Sequence, residues 1–360
     1  MISSGVGWRK TAAFVFGAVA AGMVGFVLVH VASELLRGHP GAAARWATMT
    51  FFAAAPLIVA YAIARARFRL PRVEVLLVVA VAVAIQGVLA AKSYFTGDDW
   101  LHIVRAHDLV ASGGLPGVDY LGKVVFIHYA PGLRLGYWAL ERFAPLDWAA
   151  GQAALLALFA GSILLLDRIL RQLFGERRSN LVLLLLFGTS ILLVTSFLWF
   201  ADGLHKLPST FLSLLAIDTY LTYWRTRSKA ALAVSVAAVS LGSLFYVKAL
   251  LVPLYLVLIR FLFLEDRPRR VLRALWEERY TWLAFVPTTA IYLWNYEANY
   301  ADTSGPAPSL HLLGSYLWVN WFKGVTPALA GVEIGPQAAR SGVVFAAVAQ
   351  LALIGIVGYS

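Results

Sequence analysis

Residues 131–146 read PGLRLGYWALERFAPL, and the placement of this stretch decides the topology of everything after it. It is apolar enough to resemble a membrane span. It also carries Arg134, Glu141 and Arg142 at helical spacing, which gives one face charge. Counting it as a span turns every later loop over and puts the cluster Arg168, Arg171, Arg177 and Arg178 outside, against the rule that basic loops stay on the cytoplasmic side. The stretch is therefore read as an amphipathic helix lying at the outer interface.

The composition around it belongs to a membrane protein. Of 360 residues, 60% are hydrophobic and 14% charged, against roughly 45–50% and about 25% in soluble domains. That excludes a soluble enzyme and a disordered chain. The net charge of +11, from 30 Lys and Arg against 19 Asp and Glu, would suggest nucleic acid in a soluble protein. Here it first poses the question of sidedness, and no nucleic-acid partner is expected. The absence of cysteine excludes disulfides and thiol catalysis. The 12 Trp and 15 Tyr are material for aromatic belts.

A span needs about 20 mostly apolar residues. Candidates lie at 11–31, 46–64, 73–91, 149–166, 180–199, 209–224, 230–247, 249–264, 280–294 and 342–360. With Arg9 and Lys10 inside, the inner segments collect Arg65, Arg67, Arg69 and Arg72, then the Arg168–Arg178 cluster, then Arg225, Arg227 and Lys229, and last Arg260 through Arg279. The fold expected is all-α and polytopic, with about ten transmembrane helices, a cytoplasmic N-terminus and interfacial helices in the first large outer loop. The organisation expected is an N-terminal hairpin extension over 1–72, a transmembrane core over 73–265 with its outer loop at 92–147, and a C-terminal region over 266–360. That last region carries an aromatic outer loop with Tyr316, Trp318, Trp321 and Phe322. It ends in an apolar run with no basic stop, which reads as a truncation.

All seven His fall on the outer side of this threading, which gathers the titratable chemistry there. The first outer loop opens YFTGDDWLHIVRAHDL. A carboxylate close to hydrocarbon needs a compensating role, and Asp98 and Asp99 sit where a helix start favours negative charge. Asp98, His102 and Arg105 share one helical face, although an N-cap followed by a salt-bridged helix would look the same. Lys123, His128 and Arg134 follow as anion-binding groups, with snorkelling to headgroups as the alternative. A second turn, WFADGLHKLPSTF, brings Asp202, His205 and Lys206 together, with Pro208 suited to the first turn of the next helix. Lys248 stands between apolar runs in FYVKALLVP, where a phosphate is a fitting partner. Neither GxxxxGK[ST] nor HExxH is present.

The order of these features resembles the GT-C superfamily of membrane glycosyltransferases. The closest likenesses are the protein O-mannosyltransferases, the lipid A aminoarabinose transferases and the actinobacterial arabinofuranosyltransferases. The carriers are Asp98-Asp99 with His102, Ala106 and Leu109; His128-Tyr-Ala-Pro131-Gly132, which lacks the first Pro of the family pair; RQLFGERR with Arg171 and Gly175; ADGLHKLP with Asp202; and FYVKALLVPL with Lys248. The resemblance covers about residues 73–265 and makes that segment a GT-C-like catalytic core. It implies transfer of a sugar from a polyprenyl-phosphate donor to a hydroxyl of a glycan, lipid or protein acceptor, on the outer face of the plasma (inner) membrane. It also implies that Asp98 is the general base of an inverting reaction, with Asp99 a supporting or alternative acid. Asp202 and His205 would orient the acceptor or the base, and Lys123, Arg134, Lys206 or Lys248 would meet the phosphate. Asp98, Asp99, His102 and His128 are of metal-ligand type, but superfamily members that use lipid-monophosphate sugars generally work without a metal, so no cofactor is expected. A lipid-linked saccharide transporter or flippase is the alternative, and a non-catalytic scaffold the third reading.

Overall fold

The computed structural model describes residues 29, 31–47, 72–122, 129–190, 193–264, 273, 275, 276 and 278–299. The spans expected at 11–31 and 46–64 fall almost wholly outside these residues. The span at 342–360, the aromatic stretch 316–322, Lys123 and His128 lie wholly outside them. Among the described residues every element is a helix and none is a strand.

Three helical stretches are long and apolar enough to cross a membrane: Val73–Ala90, Trp148–Phe174 and Val247–Leu264. Their length and apolarity are those of a helical membrane protein. In chain order the helices are α1 (Val73–Ala90), α2 (Asp98–Ala111), α3 (Val118–Gly122), α4 (Pro131–Phe143), α5 (Trp148–Phe174), α6 (Ser179–Gly188), α7 (Val194–Leu198), α8 (Phe200–Thr226) and α9 (Lys229–Phe245). A 3₁₀ turn (Val247–Leu251) then leads into α10 (Val252–Ile259), which closes in a π-turn (Arg260–Leu264). The short α11 (Arg279–Leu283) and α12 (Val286–Asn299) follow. Helix α8 is the axis of the packing and lies along α9 and α5. The main core joins α1, α5, α6 and α8 through Ala82, Leu155, Phe159, Ile163, Leu184 and Leu207.

Of the stretch 131–146, residues Pro131–Phe143 form α4, so the expected helix is present, but two of the three charges expected on one face, Arg134 and Glu141, are buried. Pro131 occupies the first turn, where its missing N–H costs nothing. Arg134, Tyr137 and Glu141 face inward, while Arg142 and Phe143 are exposed. Helix α5 is capped at both ends. Asp147 Oδ1 accepts from the Ala150 amide at 3.0 Å, and Gly175, at φ 76° and ψ −170°, ends the helix in a backbone conformation that favours glycine.

Two expectations are corrected. The span expected at 180–199 is not one helix: α6 stops at Gly188, the short α7 follows, and Trp199 is extended (φ −132°, ψ 115°). Thr189 helps end α6 by donating to the Leu185 carbonyl at 2.8 Å. The turn expected at ADGLHKLP is helical instead, forming the first turns of α8 with Pro208 inside the helix. Hydropathy hid this because the charged residues of these turns are paired rather than solvated.

The two ends of the bundle differ in chemistry. At one end Asp167 pairs with Arg171 at 2.7 Å, Asp218 with Arg168 at 3.0 Å, and Glu278 with Arg227 and Arg260. At the other end, the start of α8 meets α2 and α4.

Candidate active site

The site is built where α2, α4 and α8 converge, and the two neighbouring aspartates of α2 have separate surroundings. Successive helical residues point about 100° apart. Asp99 therefore turns inward and is fully buried, while Asp98 stays exposed.

Asp99 caps a helix that is not its own. The first amides of α8 have no partner within that helix, and Trp199 at the N-cap offers no side-chain oxygen. Asp99 Oδ1 accepts from the Ala201 amide at 2.8 Å and from the Tyr137 hydroxyl. Its Oδ2 accepts from the Thr96 amide at 2.8 Å. One carboxylate thus ties α2 to α4 and α8. Burial pushes the Asp99 carboxyl above its ordinary range, while the donors, led by Tyr137, pull it back down. Burial also raises Tyr137, so its hydroxyl keeps its proton and remains a donor.

Asp98 opens instead onto a cavity of about 220 Å³, shared with His102, Arg134, Trp199, Asp202, His205 and Tyr246. Asp202 is held in the first turn of α8. Its Oδ2 accepts from Lys206 Nζ at 2.8 Å, Thr195 Oγ1 at 2.9 Å and Ser196 Oγ at 3.2 Å. His205 Nδ1 lies 2.7 Å from the Phe245 carbonyl. A carbonyl only accepts, so Nδ1 carries the proton. His102 is buried and stacks on Tyr137, with centroids 5.0 Å apart. Burial first, then the nearby Arg134, His205 and Arg105, hold its pKa down to about 4, so the ring is neutral at pH 7. Arg134 is buried too and donates to the Tyr120 carbonyl. Burial lowers its pKa to about 10, and it remains a cation.

Of the residues expected from sequence, Asp98, His102, Arg134, Asp202 and His205 come together on this cavity. Asp99 lies behind its wall, and Lys206 reaches it through Asp202. Arg105 is exposed on α2 and is not part of the lining. Lys248 lies off the lining as well, with Nζ 5.2 Å from the ring centre of Tyr246, which does line it. Sequence reasoning missed Tyr137, Trp199, Tyr246 and the Ala201 amide. Tyr137 had a signal, because it lies three residues after Arg134 on the same face of α4.

The cavity has neighbours. Ala130, His205 and Tyr246 also line a pocket of about 160 Å³ walled by Tyr129, Tyr292 and Tyr296. Leu293 lines both that pocket and an apolar groove of about 630 Å³ between α10 and α12, floored by Leu250, Leu254, Val257 and Phe285. The sequence of spaces runs from carboxylates through tyrosines to hydrocarbon. Among the described residues, no three His, Asp or Glu side chains gather as metal ligands do. No family model, curated protein or solved structure matches the chain.

Proposed function

We propose that this protein is a membrane glycosyltransferase of the GT-C type. It moves a sugar from a polyprenyl-phosphate donor to an acceptor hydroxyl on the outer face of the plasma membrane. The observation that carries the reading is the order of three neighbouring spaces with shared walls: the Asp98/Asp202 cavity, the tyrosine pocket and the apolar groove. A donor with a sugar, a phosphate and a hydrocarbon tail has the same order of chemistry. The gathering of the paired arginines at one end of the bundle and of Asp98, Asp99 and Asp202 at the other supports the ten-span topology with the acids outside.

In this reading Asp98 takes the proton of the acceptor hydroxyl as the oxygen attacks the anomeric carbon. The bond from that carbon to the phosphate oxygen breaks on the opposite side, with inversion, and the lipid keeps its phosphate. Lys248, beside Tyr246 where cavity and tyrosine pocket meet, stabilises the developing phosphate charge together with Arg134. Asp202 and His205 orient the acceptor.

The test is Asp98→Asn in proteoliposomes supplied with labelled polyprenyl-phosphate sugars and soluble acceptors. Transfer should fall by about 10²–10⁴-fold, the usual worth of a general base, while thermal unfolding stays at the wild-type temperature. Full activity in the variant defeats the assignment. Labelled lipid-sugar that crosses the bilayer without any transfer points to a transporter instead.

A further inference from the structure

One aromatic residue at the acid end stands apart from the rest. Tyr94, Phe95, Trp100, Trp148 and Phe200 form a mutual cluster with centroids 5.1–6.4 Å apart, and Tyr137 joins it through Phe200 at 5.4 Å. Trp199 belongs to none of the ring pairs among the described residues. It is 39% exposed and lines the cavity with Asp98, Asp202 and Tyr246.

Its backbone is fixed all the same. The Trp199 amide donates to the Thr195 carbonyl at 2.9 Å, and two residues on, the Ala201 amide is bound by Asp99. The backbone that carries the indole is therefore held at the rim, and the ring is not taken up in the aromatic cluster of the described residues. An indole face carries negative charge density, which attracts the slightly positive C–H face of a sugar ring. The two carboxylates nearby are acceptors for the hydroxyls on the ring edge. A cavity of about 220 Å³ is smaller than the roughly 300–1,000 Å³ sites of drug-sized ligands and suits one ring rather than a chain of rings.

We infer that Trp199 is the platform on which a single saccharide ring stacks, and that it sets which sugar the site accepts. The inference rests on the glycosyl-transfer reading and adds to it the contact that recognises the sugar. It favours sugars with an unbroken C–H face, because an axial hydroxyl on that face would hold the ring off the indole.

The experiment is saturation-transfer NMR on the full chain in lipid nanodiscs, with free hexoses and pentoses as probes and a cyclic alkylamine as control. Wild-type protein should saturate the ring C–H protons of at least one sugar. Trp199→Leu, which keeps an apolar side chain but has no π face, should weaken that sugar's binding by about five- to tenfold, and Trp199→Phe should restore part of it. Thermal unfolding of each variant separates this loss from misfolding. If Trp199→Leu binds the sugar as wild type does, the platform is overturned and the glycosyltransferase reading stands. The platform also falls if only the amine binds, or if wild-type protein transfers sugar from lipid donors yet no free sugar is saturated. If it neither binds nor transfers any sugar, the reading itself falls and the platform with it.

Discussion

Replacing Asp99 by Ala strips the acceptor from three donors at once. Two of them, the Tyr137 hydroxyl and the Ala201 amide, are buried. Thr96 is exposed, so its amide turns to water at little cost. Each stranded buried donor costs about 1–3 kcal/mol, which gives roughly 2–6 kcal/mol for the pair. Against this, the variant no longer buries a carboxylate, and burial is the largest influence on that group. The net loss is therefore placed at about 2–4 kcal/mol. Asp99→Asn keeps one oxygen for Tyr137 and Ala201 but turns an amide toward the Thr96 N–H, for a loss of about 1–2 kcal/mol. Tyr137→Phe leaves the ring stacked on His102 and edge-to-face with Phe200 and removes one charge-assisted bond, for about 1.5–3 kcal/mol. In the double variant Asp99→Ala/Tyr137→Phe the second change should recover about 1–3 kcal/mol, because it removes the buried hydroxyl that the first change strands. Thermal unfolding in detergent, followed by intrinsic fluorescence at one fixed scan rate, reads the four variants against the wild type. Additive losses in the double variant, or Asp99→Ala unfolding with the wild type, would show that the carboxylate does not hold α2, α4 and α8 together.

Two further outcomes concern stability. His102 is held neutral to about pH 4, below its ordinary value of 6.5. Between these values the unfolded chain binds a proton that the folded one does not, so stability is lost as pH falls from about 6.5 toward 4, by up to about 3 kcal/mol. His102→Phe, which keeps an aromatic ring on Tyr137, should flatten unfolding temperatures measured across that window; an unchanged slope assigns the acid sensitivity elsewhere. Gly203→Ala should destabilise by about 1–3 kcal/mol, because a methyl there meets the Ser196 carbonyl oxygen at 2.3 Å and a Leu155 methyl at 2.6 Å. Wild-type stability in that variant would mean that α7 and α8 are not as close as described.

The apolar runs at 73–91 and 149–166 were legible because their length and hydropathy alone demand helices, and the structure has Val73–Ala90 and Trp148–Phe174. The second helix runs on because Asp167, Arg168 and Arg171 are paired rather than solvated. The break near 199 was not legible. It depends on a cap supplied from 102 positions earlier in the chain, and no window of neighbouring residues contains that information. The gathering of Asp98, His102, Arg134, Asp202 and His205 was legible as a set, since each carries chemistry apolar segments rarely tolerate. The different surroundings of Asp98 and Asp99 were hidden, because adjacent identical residues differ only in which way the helix turns them. The neutral state of His102 was hidden too, being set by burial and by Arg134 from another helix.

The trans cap also bears on how the cavity moves. Asp98 and the cap residue Asp99 are neighbours on α2, and Asp202 stands one residue past the capped amide of Ala201. Any swing of α2 away from the bundle uncaps α8 and frays the turn that carries Asp202, so the two acids open and close as one cooperative unit rather than as a hinged lid over a rigid floor. The exchange rate of the Ala201 amide hydrogen is the natural clock for that opening.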